Sequence, residues 1–418
     1  EGVQEDVVDI LLNLKQIAGN KVGTNSDGRL QPGVGLGNLA SGVVFRAVSG
    51  LTLGGPAAAD GNIIGLNRNH GVEITDGSTG NSILSNRIGI DVDGSGPVHN
   101  GIDGIFVLNS PGNTIGATGS GNVISSNRSN GIRIRFDLQP GGGPPPDSRT
   151  RIEANLIGTD ALGTSVFSPL FQDLGNGIDG IFLDRAQGGS FATGTMLVGN
   201  VISGNRANGI RALDSTFLTI QGNHIGTGRL GNELGLGNAL FGLTLDDTTN
   251  AIVGGFGAGQ SNVISGNRSV GLRIEGARST GNTIQNNFIG TSLSGREDVG
   301  NSFIGLLISA AHDNVIDRNV ISGNDFIGLS ISGPTASANR VTGNKIGTTI
   351  DGRAALANLS DGILINNAPG NIVGGLTTAD RNIISGNRLS GIQIAGVDSL
   401  GNQVLGNFIG LDVDGRSP

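Results

Sequence analysis

One short phrase limits what this chain can fold into. Gly, an aliphatic residue, any residue and then usually a second aliphatic recur at Gly42, Gly71, Gly104, Gly131, Gly180, Gly209, Gly242, Gly271, Gly305, Gly328, Gly362 and Gly391. A second phrase, Asn-x-Ile/Val-x-x-Asn, spans Asn62 to Asn67, Asn122 to Asn127, Asn262 to Asn267, Asn282 to Asn287 and Asn382 to Asn387. A third, Ile-Gly-Thr or a close variant, begins at Val22, Ile88, Ile157, Ile225, Ile289, Ile346 and Ile409, once for every two of the first. The spacing from Ile88 to Ile157 is 69 residues and from Ile289 to Ile346 is 57, so the repeating unit is a pair of coils.

Each phrase is short and alternates aliphatic with polar, the period of a strand buried on one side. Gly and Asn interrupt the chain too often for helices, which excludes helical solenoids. The Leu-x-x-Leu-x-Leu ladder of leucine-rich repeats and the regular hairpin signals of a propeller are both missing. Stacking equivalent strands gives parallel sheets, and parallel crossovers are right-handed in nearly all proteins. The fold class that follows is all-β, a right-handed parallel β-helix solenoid of about twelve coils. At about 4.8 Å per coil it makes a rod roughly 55 Å long. Stacked Ile, Val and Leu fill a narrow core, and Asn at the turns bonds the next coil through its side-chain amide.

Composition agrees with a thin core. Gly is 76 of 418 residues, aromatics are 3%, and Trp and Tyr are absent. A net charge of −8 disfavours nucleic acid as a partner, because nucleic-acid binding needs clustered cations. No apolar run approaches the roughly 20 residues that span a bilayer. The lack of Cys excludes disulfides, thiolate metal sites and thiol nucleophiles. Residues 1–418 read as a single solenoid, and the mid-repeat stop at Ile409-Gly410-Leu411-Asp412 reads as a segment of a longer protein. Residues 7–24 read as a first coil, with a short capping helix over Val3 to Lys15 as the alternative. Residues 137–150 carry Pro140-Gly-Gly-Gly-Pro-Pro-Pro-Asp147, which predicts a projecting loop.

The phrases Asn262-Val-Ile-Ser-Gly-Asn267, Gly271-Leu-Arg-Ile274 and Phe288-Ile-Gly-Thr291 resemble the right-handed β-helix repeats of large bacterial secreted and surface proteins. The resemblance covers nearly the whole chain and implies the pectate-lyase-like fold. It also implies an extracellular or cell-surface location. That superfamily includes lyases, hydrolases, epimerases, phage spikes, adhesins and stalks, so the resemblance fixes architecture and leaves activity open. The Asn-Thr-Asp and Gly-His-Gly motifs of polygalacturonases and the Asp-Pro-His signature of alginate epimerases are absent.

Candidate chemistry lies on the outward face of the strand that follows each phrase-initial Gly. Its third positions include Phe106, Arg133, Phe182, Arg211 and Arg273, and its fifth include Arg135, Asp184, Asp246 and Glu275. Arg211, Arg273, Asp184, Asp246 and Glu275 form a candidate strip for binding saccharides or cations. Asp184 and Asp246, two coils or about 10 Å apart, are the candidate catalytic carboxylates. The alternative is a solvated face whose charges neutralise one another. The Asp-Gly loops after Ile-Gly-Thr place Asp91, Asp93, Asp412 and Asp414 as candidate calcium ligands, against an ordinary turn role. His70, His99, His224 and His312 form no sequence cluster and read as surface loop residues. Arg68, Arg128, Arg206, Arg268 and Arg388 follow the Asn phrase on alternate coils, where pairing with nearby Asp and Glu is expected over contact with anionic glycan or a neighbouring rod.

Three functional readings follow. The first is a non-enzymatic structural or adhesive module that needs no cofactor and meets other copies, surface components or glycans. The second is a polysaccharide-active lyase or hydrolase, or a glycan-binding domain, using the Asp184–Asp246 strip. The third is a phage or secreted spike.

Overall fold

In the computed structural model, the described residues are 16–30, 37–138 and 146–416. The proposed capping segment Val3 to Lys15 lies outside them, as do the central residues of the Pro/Gly-rich loop. Each coil contributes one strand to each of three parallel sheets, entered in the order Gln16–Ile17, Lys21–Val22 and Val43–Arg46 in the first described coil. The first and second sheets have thirteen strands and the third has twelve, with every strand paired to its equivalent one coil away. The twelve phrase-initial glycines each stand immediately before one of the twelve strands of the third sheet, from Val43–Arg46 to Ile392–Ala395. Among the described residues the only helical element is a 3₁₀ turn at Ala58–Asp60, and no helix is long and apolar enough to cross a membrane. The chain is a right-handed parallel β-helix.

Alternation decides which side chains fill the rod. In the third sheet Ile132 and Ile134 are fully buried, and Ile181, Leu183, Ile210 and Ala212 continue their stacks. The second sheet buries Ile157, Ile202 and Ile225, and the first buries Ile152, Leu197 and Ile220. These residues join one core cluster running the length of the rod. Each buried Ile removes an apolar side chain from water, at most about 1.5–3 kcal/mol apiece, because the unfolded chain already shields part of that surface.

The turns are tied by asparagine. One ladder runs from Asn20 through Asn62, Asn86, Asn122 and Asn155 to Asn200, each amide donating to the next Oδ1 at 2.8–3.0 Å. It continues through Asn223, Asn262, Asn287, Asn319, Asn344 and Asn382 to Asn407. A second ladder, from Asn38 to Asn387, ties the turn that enters the third sheet. Glycine at the head of each third-sheet strand lets this turn press on its neighbours. A Cβ on Gly180 would stand 2.5 Å from Ile202 Cγ2 and 2.6 Å from the Gly209 carbonyl.

Two sequence assignments change. The Ile-Gly-Thr phrase and the Asn-x-Ile/Val phrase are the same second-sheet strand on alternate coils, since Leu156–Ile157 pairs with Val201–Ile202 and that with His224–Ile225. What differs is the loop that follows. On Ile-Gly-Thr coils it extends outward and hydrogen-bonds its counterpart two coils away, as Val92 N to Gly28 O and Ala161 N to Gly94 O show. Asn282 to Asn287 fits the second phrase, yet its strand Thr283–Gln285 belongs to the first sheet. Its local pattern is the same in both settings, so only the count of residues around the coil separates them.

Candidate functional site

The outward column at the third position of the third sheet runs Glu73, Phe106, Arg133, Phe182, Arg211, Thr244, Arg273 and Leu307, each residue directly beside the next. Cation and ring alternate. The Arg133 guanidinium lies 5.6 Å from the Phe106 centroid and 5.5 Å from that of Phe182, while Arg211 lies 5.2 Å from Phe182. Arg273 lies 5.0 Å from Phe241, just ahead of the neighbouring strand. His70 stacks on Phe106 at 4.7 Å and reaches Asp103 at 3.3 Å, so it belongs to this surface and is not the isolated loop residue expected from sequence. Burial pushes the Asp103 carboxyl up, but hydrogen bonds involving His70 and Asn130 outweigh it and hold the group below its ordinary range.

The neighbouring outward column carries the carboxylates, Asp184, Leu213, Asp246 and Glu275 in register order. Asp184 and Asp246 are two coils apart, as expected, with Leu213 between them. Their surroundings differ. Asp184 is only 7% exposed and is closed in by Arg185 at 3.2 Å and Arg135 at 3.8 Å. Asp246 is more open; Arg211 approaches it at 3.6 Å, and Asp247 stands beside it in sequence. Burial pushes the Asp246 carboxyl above its ordinary range, Asp247 adds to this, and Arg211 and Arg273 oppose it. Glu275 pairs with Arg273. The five binding candidates are therefore brought together, but the two carboxylates do not form a matched pair. Of the two, Asp246 is the one open to solvent, and burial raises its affinity for a proton.

Buried side-chain polar atoms without a hydrogen-bond partner gather on this sheet, on Thr75, Arg133, Asp184, Thr244 and Arg273. Such atoms are uncommon in folded proteins, and their concentration marks a face whose polar capacity the chain itself leaves unused. The face is an open strip. The larger clefts lie elsewhere, about 530 Å³ beside His224 and Arg229 and about 570 Å³ beside Lys345 and Arg381, both over the second sheet.

The acidic loops do not assemble a calcium cage. Asp91 accepts hydrogen bonds from Ser95 N and Gly96 N within its own turn, and Asp412 does the same for Asp414 N and Arg416 N. Asp93 pairs with Arg29, and Asp414 with Arg353 at 2.6 Å. Among the described residues no group of three or more His, Cys, Asp or Glu is placed to hold a metal. The expectation that the corner arginines pair with acids is also corrected: of Arg68, Arg128, Arg206, Arg268 and Arg388, only Arg206 has an ion pair among the described residues, with Asp173 at 2.9 Å. The others project from turns whose neighbours on the adjoining coils are small or neutral.

No family model and no curated protein matches the chain. Among solved structures it is similar to the periplasmic alginate epimerase AlgG, at 13% identity and a TM-score of 0.45 over 93% of this chain and 80% of that one. It is also similar to the Azotobacter vinelandii mannuronan C-5 epimerase AlgE4 A-module, at 17% identity and a TM-score of 0.33 over 90% and 85%. A third is DFA-IIIase from Arthrobacter chlorophenolicus A6 without its lid, at 13% identity and a TM-score of 0.35 over 89% and 79%. These neighbours, enzymes by their names, correct the expectation of a non-enzymatic structural or adhesive module, which is set aside. At such identities they share the β-helix fold alone, so the polysaccharide-active alternative has to be argued from this chain's own residues.

Proposed function

We propose that this protein is a polysaccharide-active β-helix that lays an extended glycan along the outer face of its third sheet, with Asp246 as the proton-transfer group. The observation that carries the reading is Asp246 itself, a carboxyl with raised proton affinity held between Arg211 and Arg273 on an open strip. A guanidinium resting against a ring face keeps its N–H edge available, so the Phe–Arg column offers regularly spaced donors for sugar hydroxyls and carboxylates. An open strip suits a polymer that lies along it better than a small molecule that needs enclosure.

The chemistry favours elimination over hydrolysis. Glycoside hydrolysis uses two carboxyl groups flanking one bond, and here Asp184 is closed off by two arginines. Removal of the proton next to a uronic-acid carboxylate needs one base and a cation to neutralise that carboxylate. Asp246 and Arg211 supply both. The C5 proton moves to Asp246, the electron pair forms the C4–C5 double bond as the C4–O glycosidic bond breaks, and the departing oxygen takes the proton back from Asp246 to leave as a hydroxyl, so that one new end is an unsaturated sugar. The epimerase neighbours do not transfer their reaction, since the Asp-Pro-His signature is missing. An exported location, outside the cell or in the periplasm, fits a polymeric substrate.

Titration of purified protein with acidic and neutral polysaccharides tests the binding half of the proposal. Phe182→Ala and Arg211→Gln should each weaken binding severalfold. Equal affinity in the parent and both variants would remove the third sheet from the proposal.

A further inference from the structure

The corner arginines form a second feature that the strip does not absorb. Their register is fixed by the backbone: Arg68 N donates to Asn38 O, Arg128 N to Asn100 O, Arg206 N to Asn176 O and Arg268 N to Asn238 O. The coils between them offer Gly101, Gly177 and Ala239 at the same place, donating to Asn67, Asn127 and Asn205. The row is thus arginine, small residue, arginine, small residue, flanking the strip along the turn that enters the third sheet. At two of these places packing requires glycine, since a Cβ on Gly101 would stand 2.0 Å from Arg68 O and one on Gly177 2.2 Å from Arg128 O. Two coils rise about 10 Å, which is the length of an extended disaccharide.

Between Arg128 and Arg206 the surface opens into a cleft of about 370 Å³ that also involves His99 and Asp173. Asp173 is satisfied by Arg206 at 2.9 Å and by Gly175 N at 2.8 Å, which leaves the Arg128 charge unopposed in the cleft. This run of four stops where Asp325 takes the next arginine place, with its N–H on Asn301 O, and Arg388 returns to that place two coils further on, with its N–H on Asn358 O. A cationic row bounded by an anion, on a chain of net charge −8, selects for a polyanion of matching charge spacing over polyanions in general.

We infer that Arg68, Arg128, Arg206 and Arg268 read a glycan bearing one anionic group per disaccharide, over a length of about four disaccharides. The inference rests on the proposed function, because it takes the ligand to be a glycan, and it adds the charge pattern of that glycan. Arg128 receives one of the anionic groups in the cleft, and the arginines two coils to either side meet the next groups, two sugars away.

The test uses hyaluronan oligosaccharides, which carry one carboxylate per disaccharide, beside the same oligosaccharides with their carboxyls reduced to alcohols. Both are titrated into the whole chain, into Arg128→Gln/Arg206→Gln/Arg268→Gln and into Phe182→Ala. The acidic form should bind at least tenfold more tightly than the reduced form, gaining affinity from tetrasaccharide to octasaccharide and little beyond. The triple variant should erase that difference while keeping the affinity for the reduced form, and Phe182→Ala should weaken both forms. Equal binding of acidic and reduced forms by the parent chain, or an unchanged preference in the triple variant, would overturn the inference and leave the strip intact. No binding of either form by the folded parent would overturn the inference together with the proposed function beneath it.

Discussion

Replacing Asn287 with alanine should weaken the rod more than any exposed substitution. Its amide donates to Val253 O at 2.9 Å, to Gln285 O at 3.0 Å and to Asn319 Oδ1 at 3.0 Å. Its Oδ1 accepts from Asn262 N at 3.2 Å and from Asn262 Nδ2 at 2.8 Å. The residue is 1% exposed, so water does not replace these partners. Some relief remains: Asn262 Nδ2 keeps Ile220 O, and Asn319 Oδ1 keeps Asn287 N. With net values near 1 kcal/mol per bond and a larger penalty for a buried donor left alone, the loss comes to about 3–5 kcal/mol. Asn407→Ala is the internal control. Asn407 is half-buried, donates to Val373 O and accepts only from Asn382, so its loss is about 1–2 kcal/mol. Urea unfolding followed by circular dichroism gives both values, with the slopes compared because stacked repeats can unfold in parts. A cost below about 1 kcal/mol for Asn287→Ala, or one no larger than for Asn407→Ala, would refute the ladder as a source of stability.

Other outcomes follow from the same structure. Gly180→Ala should cost about 2 kcal/mol or more, because the new methyl meets Ile202 Cγ2 and the Gly209 carbonyl; an unchanged unfolding midpoint would contradict that packing. The Asp246 carboxyl has a raised folded-state pKa, so its contribution to stability is full below the unfolded pKa and is lost as pH rises through the folded one. Asp246→Asn should therefore gain on the parent protein as pH rises through that window, and a thermal-melt series showing its largest advantage in acid would reverse the assignment. Asp103 runs the other way: its lowered pKa stabilises the fold above the unfolded value and ceases to do so as pH falls through the folded value. Asp103→Asn should thus flatten the acid side of the melting profile, which would remain unchanged if the His70 and Asn130 contacts had no weight. Calcium added at millimolar concentration should leave the melting temperature in place, since Asp93 and Asp414 face Arg29 and Arg353; a rise of several degrees would reopen those loops as a site.

The architecture was legible because a solenoid repeats its instructions. Each glycine that heads a third-sheet strand lies where the phrase put it, and alternation alone placed Phe182, Arg211 and Asp246 on the outward face. The same regularity hid other features. Asn282 to Asn287 carries the second-sheet phrase while standing in the first sheet, since both turns use Asn for the same ladder bond. Asp184 and Asp246 look equivalent in the repeat, and the difference comes from Arg135 and Arg185, which approach from another coil and from the next residue. His70 gave no signal as a lone histidine; its role appears only when Phe106 and Asp103 arrive from the following coil. The unpaired corner arginines were hardest to foresee, because sequence shows that acids are nearby but not which way the turns direct them.

The most direct measurement of the central claim is depolymerisation of a panel of uronic-acid polysaccharides by the whole chain, read as ultraviolet absorbance of unsaturated ends. Phe182→Ala, Arg211→Gln and Asp246→Asn are assayed in parallel after each is shown to be folded. Absorbance that grows with the parent protein, falls at least a hundredfold in Asp246→Asn and falls through weaker substrate binding in Phe182→Ala is the predicted result. Product formed at the parent rate by folded Asp246→Asn, or none formed by the parent on any acidic polysaccharide, would contradict it.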